Sequence, residues 1–186
     1  MNIGIDIDDT ITDTYETLIS LLGIYYGMNI DKIQKQRPSY KMIKNMFTDY
    51  NEFAAKNYNT MATIAPLKKN VVKVLTKLRE AGHKIIFISA RNYDEYEDPY
   101  KVSYEYLKRN GIPFDKLIVN VKNKSKQCIL ENIDIFIDDD TSNCRSVLNT
   151  GIRTLQFDSI LNRDVTSLDK VKTWEDVYSK ICDMYA

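Results

Sequence analysis

The chain has 186 residues, and its 26 basic and 26 acidic side chains cancel to a formal net charge of zero. That length suits one domain with an insert and a real core, and the balance argues against a nucleic-acid polymer as partner, which would draw a basic bias. No apolar run approaches membrane-spanning length, and Asp6, Asp8 and Asp9 interrupt the apolar start, so neither a span nor a signal peptide is expected. Cys128, Cys144 and Cys182 are odd in number and out of metal-ligand spacing. They read as reduced thiols of a cytoplasmic protein. A single histidine, His83, reads as a loop residue between a helix and a strand, so His-based catalysis has little support.

The first predicted element is a short buried strand at the start of Ile3-Gly4-Ile5-Asp6-Ile7-Asp8-Asp9-Thr10-Ile11-Thr12. An apolar strand carries carboxylates only for a reason, because an unpaired buried charge is very costly. Asp6 and Asp8 therefore need a cation or protons. Residues two apart on an extended chain face one side, which puts Asp6 at the strand's carboxyl end and Asp8 just past it. Ligands of open α/β sheets bind outside that end. Asp9, Thr10 and Ile11 turn away and offer their amides to an anion.

From Tyr15 to about Ala65 no strand is expected. Helices are predicted over Thr14–Tyr26, Ile30–Gln36, Ser39–Met46 and Tyr50–Met61, with Pro38 in the first turn of the third and Pro66 closing the segment. Helix and strand then alternate. Asn70–Ala81 is amphipathic, with Val71, Val74, Leu75 and Leu78 on one stripe and Gly82 at its end. Lys84–Ser89 reads as a strand, Pro99–Asn110 as a helix, Lys116–Val121 as a strand and Ser125–Asn132 as a helix. Ile133–Ile137 is the next strand, Ser142–Asn149 a helix, Ile152–Phe157 the last strand and Trp174–Met184 a closing helix. That alternation implies a parallel sheet with right-handed crossovers.

Further polar positions fall where strands end or helices begin: Ser89 in Ile-Ser-Ala-Arg, Lys124, and Asp138-Asp139-Asp140. In a parallel sheet they converge with Asp6 at one edge. Each also has a plain structural reading. Ser89 suits a simple strand end, Asp140 an N-cap, and Asp139 a second cap or solvated turn. Arg91 could contact substrate or pair with Asp94 or Glu95, and Lys126 competes with Lys124.

Asp6-Ile7-Asp8-Asp9-Thr10 resembles motif I, D-x-D-x-T, of the haloacid dehalogenase (HAD) superfamily. Ser89, Lys124 and Asp138-Asp139 follow in the order of its motifs II, III and IV. Within the superfamily, Ile-Asp-Ile-Asp-Asp-Thr-Ile, Ile-Ser-Ala-Arg-Asn and Ile-Asp-Asp resemble the branch of the 5′(3′)-deoxyribonucleotidases and cytosolic pyrimidine 5′-nucleotidases. The spacing from Lys124 to Ile-Asp-Asp matches that branch and favours it over Lys126. The resemblance implies a three-layer α/β, Rossmann-like parallel core over residues 1–14 and 66–186, with a small all-helical cap over 15–65.

It also implies the chemistry. Asp6 would be the nucleophile of a phosphomonoesterase, forming an aspartyl phosphate. Asp8 would protonate the leaving oxygen and then activate water. Mg²⁺ would be held by the Asp6 carboxylate, the Asp8 carbonyl, Asp138 and Asp139. Ser89 and the adjacent Ala90 and Arg91 amides, with Asp9 and Thr10, would receive phosphate oxygens, and Lys124 would offset developing charge. The expected substrate is a nucleoside 5′-monophosphate, with Tyr15, the cap tyrosine nearest motif I, stacking on the base. A phosphosugar phosphatase or phosphomutase is the enzymatic alternative, and a non-catalytic binding protein on a HAD core the other.

Overall fold

A computed structural model of the protein describes residues 1–184, the side chain of Lys32 excepted. The last two residues of the predicted core segment therefore lie outside the described residues. Strands β1 (Asn2–Ile5), β2 (Lys84–Ile88), β3 (Lys116–Ile118), β4 (Ile135–Asp138), β5 (Arg153–Phe157) and β6 (Lys170–Val171) form one sheet in the order β3-β2-β1-β4-β5-β6. Every pairing is parallel. β1 lies between β2 and β4, with Ile5 in register with Phe87 on one side and Ile137 on the other. Both of its faces are covered, which is why it reads as a run of isoleucines without polar alternation. Gly4 fits because a Cβ there would lie 3.0 Å from Phe136 Cδ2 and 3.1 Å from Ile133 Cγ2.

One face of the sheet presents Ile3, Ile5, Ile85, Phe87, Ile135, Ile137 and Leu155 to α5 (Val71–Glu80), α6 (Pro99–Arg109) and α9 (Trp174–Cys182). The stripe Val71, Val74, Leu75 and Leu78 is the buried side of α5. The other face packs Ile86, Ile88 and Phe136 against Cys128 of α7 (Lys124–Leu130) and Val147 of α8 (Thr141–Leu148). The result is the expected three-layer α/β arrangement around a parallel sheet. Its strand order reverses between β1 and β4, the place where such sheets bind ligands.

Between β1 and α5 run α1 (Thr14–Tyr26), α2 (Ile30–Gln36), α3 (Tyr40–Met46) and α4 (Tyr50–Ile64). They build an apolar cluster around Leu18, Leu22, Ile43, Phe53 and Met61, distinct from the two clusters on the sheet and joined by Tyr96 from the loop after β2. The two ends of this segment meet. Asp13 N–H donates to the Pro66 carbonyl at 2.9 Å, Lys68 N–H to that of Ile11 at 2.9 Å, and Thr12 bridges Leu67 in antiparallel fashion.

Element ends differ from expectation where local hydrogen bonds decide them. Pro38 stands outside α3, because the Ser39 hydroxyl accepts the Met42 N–H and makes Ser39 the N-cap. Ser89 lies just past β2, whereas Asp138 is the last residue of β4 rather than the first after it. β6, only two residues long, had no apolar run to announce it. Gly82, with φ of +84°, ends α5 in the left-handed conformation that glycine adopts without strain.

Candidate active site

The carboxyl ends of β1 and β4 bring Asp6 and Asp138 together, and the N-terminus of α7 supplies Lys124 between them. Its ammonium donates to Asp6 Oδ1 at 2.5 Å and to Asp138 Oδ2 at 2.7 Å, all three side chains being buried. Lys126 is exposed on the outside of the same helix. Asp139 completes the group: one carboxylate oxygen each from Asp6, Asp138 and Asp139 lie within 4.8 Å of one another. Burial pushes the Asp6 carboxyl up to about 8 against the pull of Lys124, with Asp138 and Asp8 adding to the push. Burial likewise raises Asp138, and raises Asp139 well above the usual range with help from Asp9, Asp138 and Asp6. Burial works against the Lys124 charge, but Asp138 and Asp6 outweigh it and hold the ammonium protonated. Three buried acids share one ammonium, so a further positive charge is needed to keep them ionised together, and an all-oxygen donor set of this kind suits a hard divalent cation.

Asp8 has a different cation. Arg91 grips it as a fork, Nε to Oδ2 at 2.9 Å and Nη2 to Oδ1 at 2.8 Å, and the Thr14 hydroxyl adds 2.8 Å to Oδ1. Burial raises the Asp8 carboxyl, but the Arg91 charge and hydrogen bonds, with that of Thr14, outweigh it and hold it below the ordinary value. Arg91 is thus committed to Asp8 and does not pair with Asp94 or Glu95. Its guanidinium, 1% exposed, is spent on Asp8 and reaches the site only as part of a cavity wall.

The remaining expected residues divide. Ala90 and Asp9 line the cavity above the acids. Asp9, at φ of +57°, is fixed by the Tyr15 N–H at 2.8 Å and the Tyr40 hydroxyl at 2.5 Å. Burial pushes its carboxyl up to about 6, against those two hydrogen bonds. Thr10 is fully buried and is not among the residues lining the cavity above the acids; its hydroxyl accepts the Asp139 N–H at 3.1 Å, joining motif I to the β4 loop. Ile11 spends its amide on the Ile7 carbonyl at 3.0 Å, so it offers nothing to an anion. Ser89 is fully buried, with Oγ accepting the Arg91 N–H at 3.2 Å. Its hydroxyl proton has no acceptor among the described residues. Tyr15 is the clearest correction. It is 1% exposed, its hydroxyl donates to the Pro38 carbonyl at 2.9 Å, and it lines neither cavity, so it cannot stack on a ligand. It follows the apolar stripe of α1, with Leu18, Ile19 and Leu22.

Two cavities meet at this place. The larger, about 550 Å³, holds Asp6, Lys124 and Asp138 to Asp140, with Asn143, Asn162 and, from α3 and its cap, Ser39. The second, about 340 Å³, is lined by Tyr50, Tyr58, Met61, Tyr96, Arg91 and Glu95. Asp8, Tyr40, Lys41 and Ala90 belong to both. The Tyr50 and Tyr58 hydroxyls share a hydrogen bond of 2.6 Å, and the Tyr58 and Tyr96 rings lie 5.4 Å apart. Sequence reasoning missed Tyr50, Tyr58, Tyr96 and Asn162 as site residues. Tyr50 and Tyr58 are eight apart on one side of α4, with Ala54 between them, so the helical period carried a signal, though one that ordinary packing also gives. Asn162 carried none: its side chain donates to the Asp139 carbonyl at 2.7 Å from a loop after β5.

With this geometry in hand, likeness to known proteins is informative. Residues 1–186 match the profile of the family described as 5′ nucleotidase, deoxy (Pyrimidine), cytosolic type C protein. A nucleotidase from Clostridium acetobutylicum is 32% identical over 182 residues, 96% of this chain and 92% of that one. Among solved structures, a HAD-superfamily hydrolase from Ehrlichia chaffeensis has a TM-score of 0.63 at 16% identity, covering 100% of this chain and 97% of that one. YfnB from Bacillus subtilis, solved bound to magnesium, has a TM-score of 0.68 at 14% identity, covering 97% of this chain and 98% of that one. At such identities the two structures speak to the fold, which is shared from end to end.

Proposed function

Because the chain belongs to the cytosolic type C deoxy (pyrimidine) 5′-nucleotidase family of the HAD superfamily and is a phosphoric monoester hydrolase, we propose that it is a Mg²⁺-dependent nucleotidase working through a phosphoryl group carried on Asp6. The observation that carries this reading is the junction of the two cavities at Asp8. A phosphate held against Asp6 and Lys124 would turn its ester oxygen toward Asp8, which lines both cavities, and the rest of the ester would extend into the tyrosine-lined one. Tyr50, Tyr58 and Tyr96 are 3%, 6% and 5% exposed but, unlike Tyr15, line the cavity, so a planar base would stack on what they present there.

In the first step an Asp6 carboxylate oxygen attacks phosphorus. The P–O ester bond breaks, the leaving oxygen keeps the pair and takes a proton from the Asp8 carboxyl group. Water then attacks the phosphoryl group, Asp8 takes its proton, and Asp6 is regenerated as phosphate leaves. The Arg91 fork favours the ionised Asp8 that the second step uses, so the first step draws on its less populated protonated form. Lys124, tied to Asp6 and Asp138, holds the nucleophile in place and offsets negative charge on the transferring group. The free Ser89 hydroxyl proton and the Ala90 backbone would receive phosphate oxygens. Asp6, Asp138 and Asp139, with the Asp8 carbonyl, would hold Mg²⁺, which when bound neutralises charge between carboxylate and phosphate.

Helices α1 to α4 act as a cap over 15–65 on a core of 1–14 and 66–186. Their separate apolar cluster and the paired ends of the segment support this division. Among the described residues no helix is long and apolar enough to cross a membrane. All three cysteines are free, in keeping with a cytoplasmic protein.

Exhaustive chelation should abolish turnover and Mg²⁺ restore it. Asp6→Asn should hydrolyse neither p-nitrophenyl phosphate nor a deoxynucleoside 5′-monophosphate, and should fail to trap beryllium fluoride as a phosphoryl mimic. Appreciable turnover in that variant would sink the covalent mechanism.

A further inference from the structure

We propose that Arg91 is a positioning residue that sets the plane of the Asp8 carboxylate at the junction of the two cavities, and that it thereby governs proton delivery to the leaving oxygen. The inference rests on the phosphomonoesterase reading above and on the geometry of three elements. The fork from Arg91 fixes both Asp8 oxygens at 2.9 and 2.8 Å, and paired parallel hydrogen bonds fix the orientation of a carboxylate as well as its distance. The fork is itself held. Nη1 donates to the Ser103 hydroxyl on α6 at 3.1 Å, the Arg91 N–H donates to Ser89 Oγ at 3.2 Å, and the guanidinium carbon lies 5.7 Å from the centre of the Tyr96 ring. Thr14, the first residue of α1, adds its hydroxyl on Asp8 Oδ1. Asp8 is thus gripped from the loop after β2 and from the first residue of α1. It still keeps 26% of its side chain exposed where both cavities open.

The two cations of the site do different work on that account. Lys124 is a point charge that bridges two acids and can tolerate a range of angles. Arg91 is planar, and its replacement by lysine keeps the charge but loses the fork. Proton delivery matters only when the departing oxygen is basic. In the first step the P–O bond breaks and the oxygen keeps the electron pair. An alkoxide must receive the Asp8 proton as it leaves, whereas p-nitrophenolate departs without one.

The experiment compares kcat/KM, which reports the steps up to departure of the leaving group, for an alkyl phosphate monoester and for p-nitrophenyl phosphate. Arg91→Lys should lose about tenfold or more on the alkyl ester and less than about threefold on the aryl one, a fraction of the 10²–10⁴ that general acid–base catalysis contributes. Ser103→Ala should shift the same ratio in the same direction by less. A double-mutant cycle adds a readout that a purely structural role would not move: in an Asp8→Asn background, Arg91→Gln should cost little further, because the group it positions is gone. Equal losses on both esters in Arg91→Lys, or full additivity in the cycle, would overturn the proposal. Should Arg91→Gln fail to fold, the ratios for Arg91→Lys and Ser103→Ala decide it alone. A wild-type protein that hydrolyses no monoester would instead defeat the functional reading, whereas an active one with uniform losses defeats only the positioning role.

Discussion

Charges buried at the end of an apolar strand need partners, and two acids of motif I have cations: Lys124, shared with Asp138, for Asp6 and Arg91 for Asp8. The acids themselves were legible in the sequence, because a carboxylate that interrupts an isoleucine-rich strand has no inexpensive structural excuse. The Arg91 pairing was not. Asp94 and Glu95 are its neighbours in sequence, whereas Asp8 lies 83 positions away and comes within reach only through the pairing of β1 with β2. Tyr15 failed for a related reason. Helical periodicity placed it on α1 but closeness to motif I suggested exposure, and its actual face is the one shared with Leu18 and Leu22. Tyr15→Phe should therefore cost about 1 kcal/mol of stability, the worth of one hydrogen bond, here to Pro38. It should leave the ratio of kcat/KM between nucleotide and sugar phosphate unchanged. Denaturant unfolding checks the first statement, and a shifted ratio would contradict the second.

Elements were legible in kind and less so at their ends. The apolar strands and the glycine-stopped helices stand where the pattern put them, while the caps that set their limits depend on side chains meeting particular amides. Helix α9 is an example. Thr173 Oγ1 accepts the Asp176 N–H at 3.1 Å and Asp176 accepts the Thr173 N–H at 2.9 Å, a reciprocal capping box. Thr173→Ala should cost about 1 kcal/mol, read as a lower unfolding midpoint at unchanged denaturant slope. No change would mean that the fully buried Trp174 beside it anchors the helix unaided. Helix α4 carries the functional case. With Tyr50 and Tyr58 facing the second cavity, Tyr58→Ala should lower kcat/KM for nucleotides by about tenfold, given stacking worth about 1–3 kcal/mol per base. It should affect p-nitrophenyl phosphate less. A uniform loss on both would point to a damaged cap, not a lost stacking surface.

At the scale of the whole molecule, parallel topology does the assembling. Motif I, Ser89, Lys124 and Asp138 are scattered over 133 positions of sequence, yet parallel strands deliver them all to one edge, beside the reversal between β1 and β4. This much could be read from alternation of helix and strand, since right-handed parallel crossovers leave few other arrangements. What lies over that edge could not be read, because residues 15–65 carry no motif and their facing depends on how four helices pack. The central claim is that this cover, with its cavity of tyrosines, makes the enzyme a nucleotidase. The direct measurement is kcat/KM with Mg²⁺ for a panel of ribo- and deoxyribonucleoside 5′-monophosphates against pentose and hexose phosphates. The account predicts that the best nucleotide exceeds the best sugar phosphate by about tenfold or more, as stacking of 1.4 kcal/mol or above requires. A sugar phosphate that outperforms every nucleotide would contradict it and leave a phosphosugar phosphatase in its place.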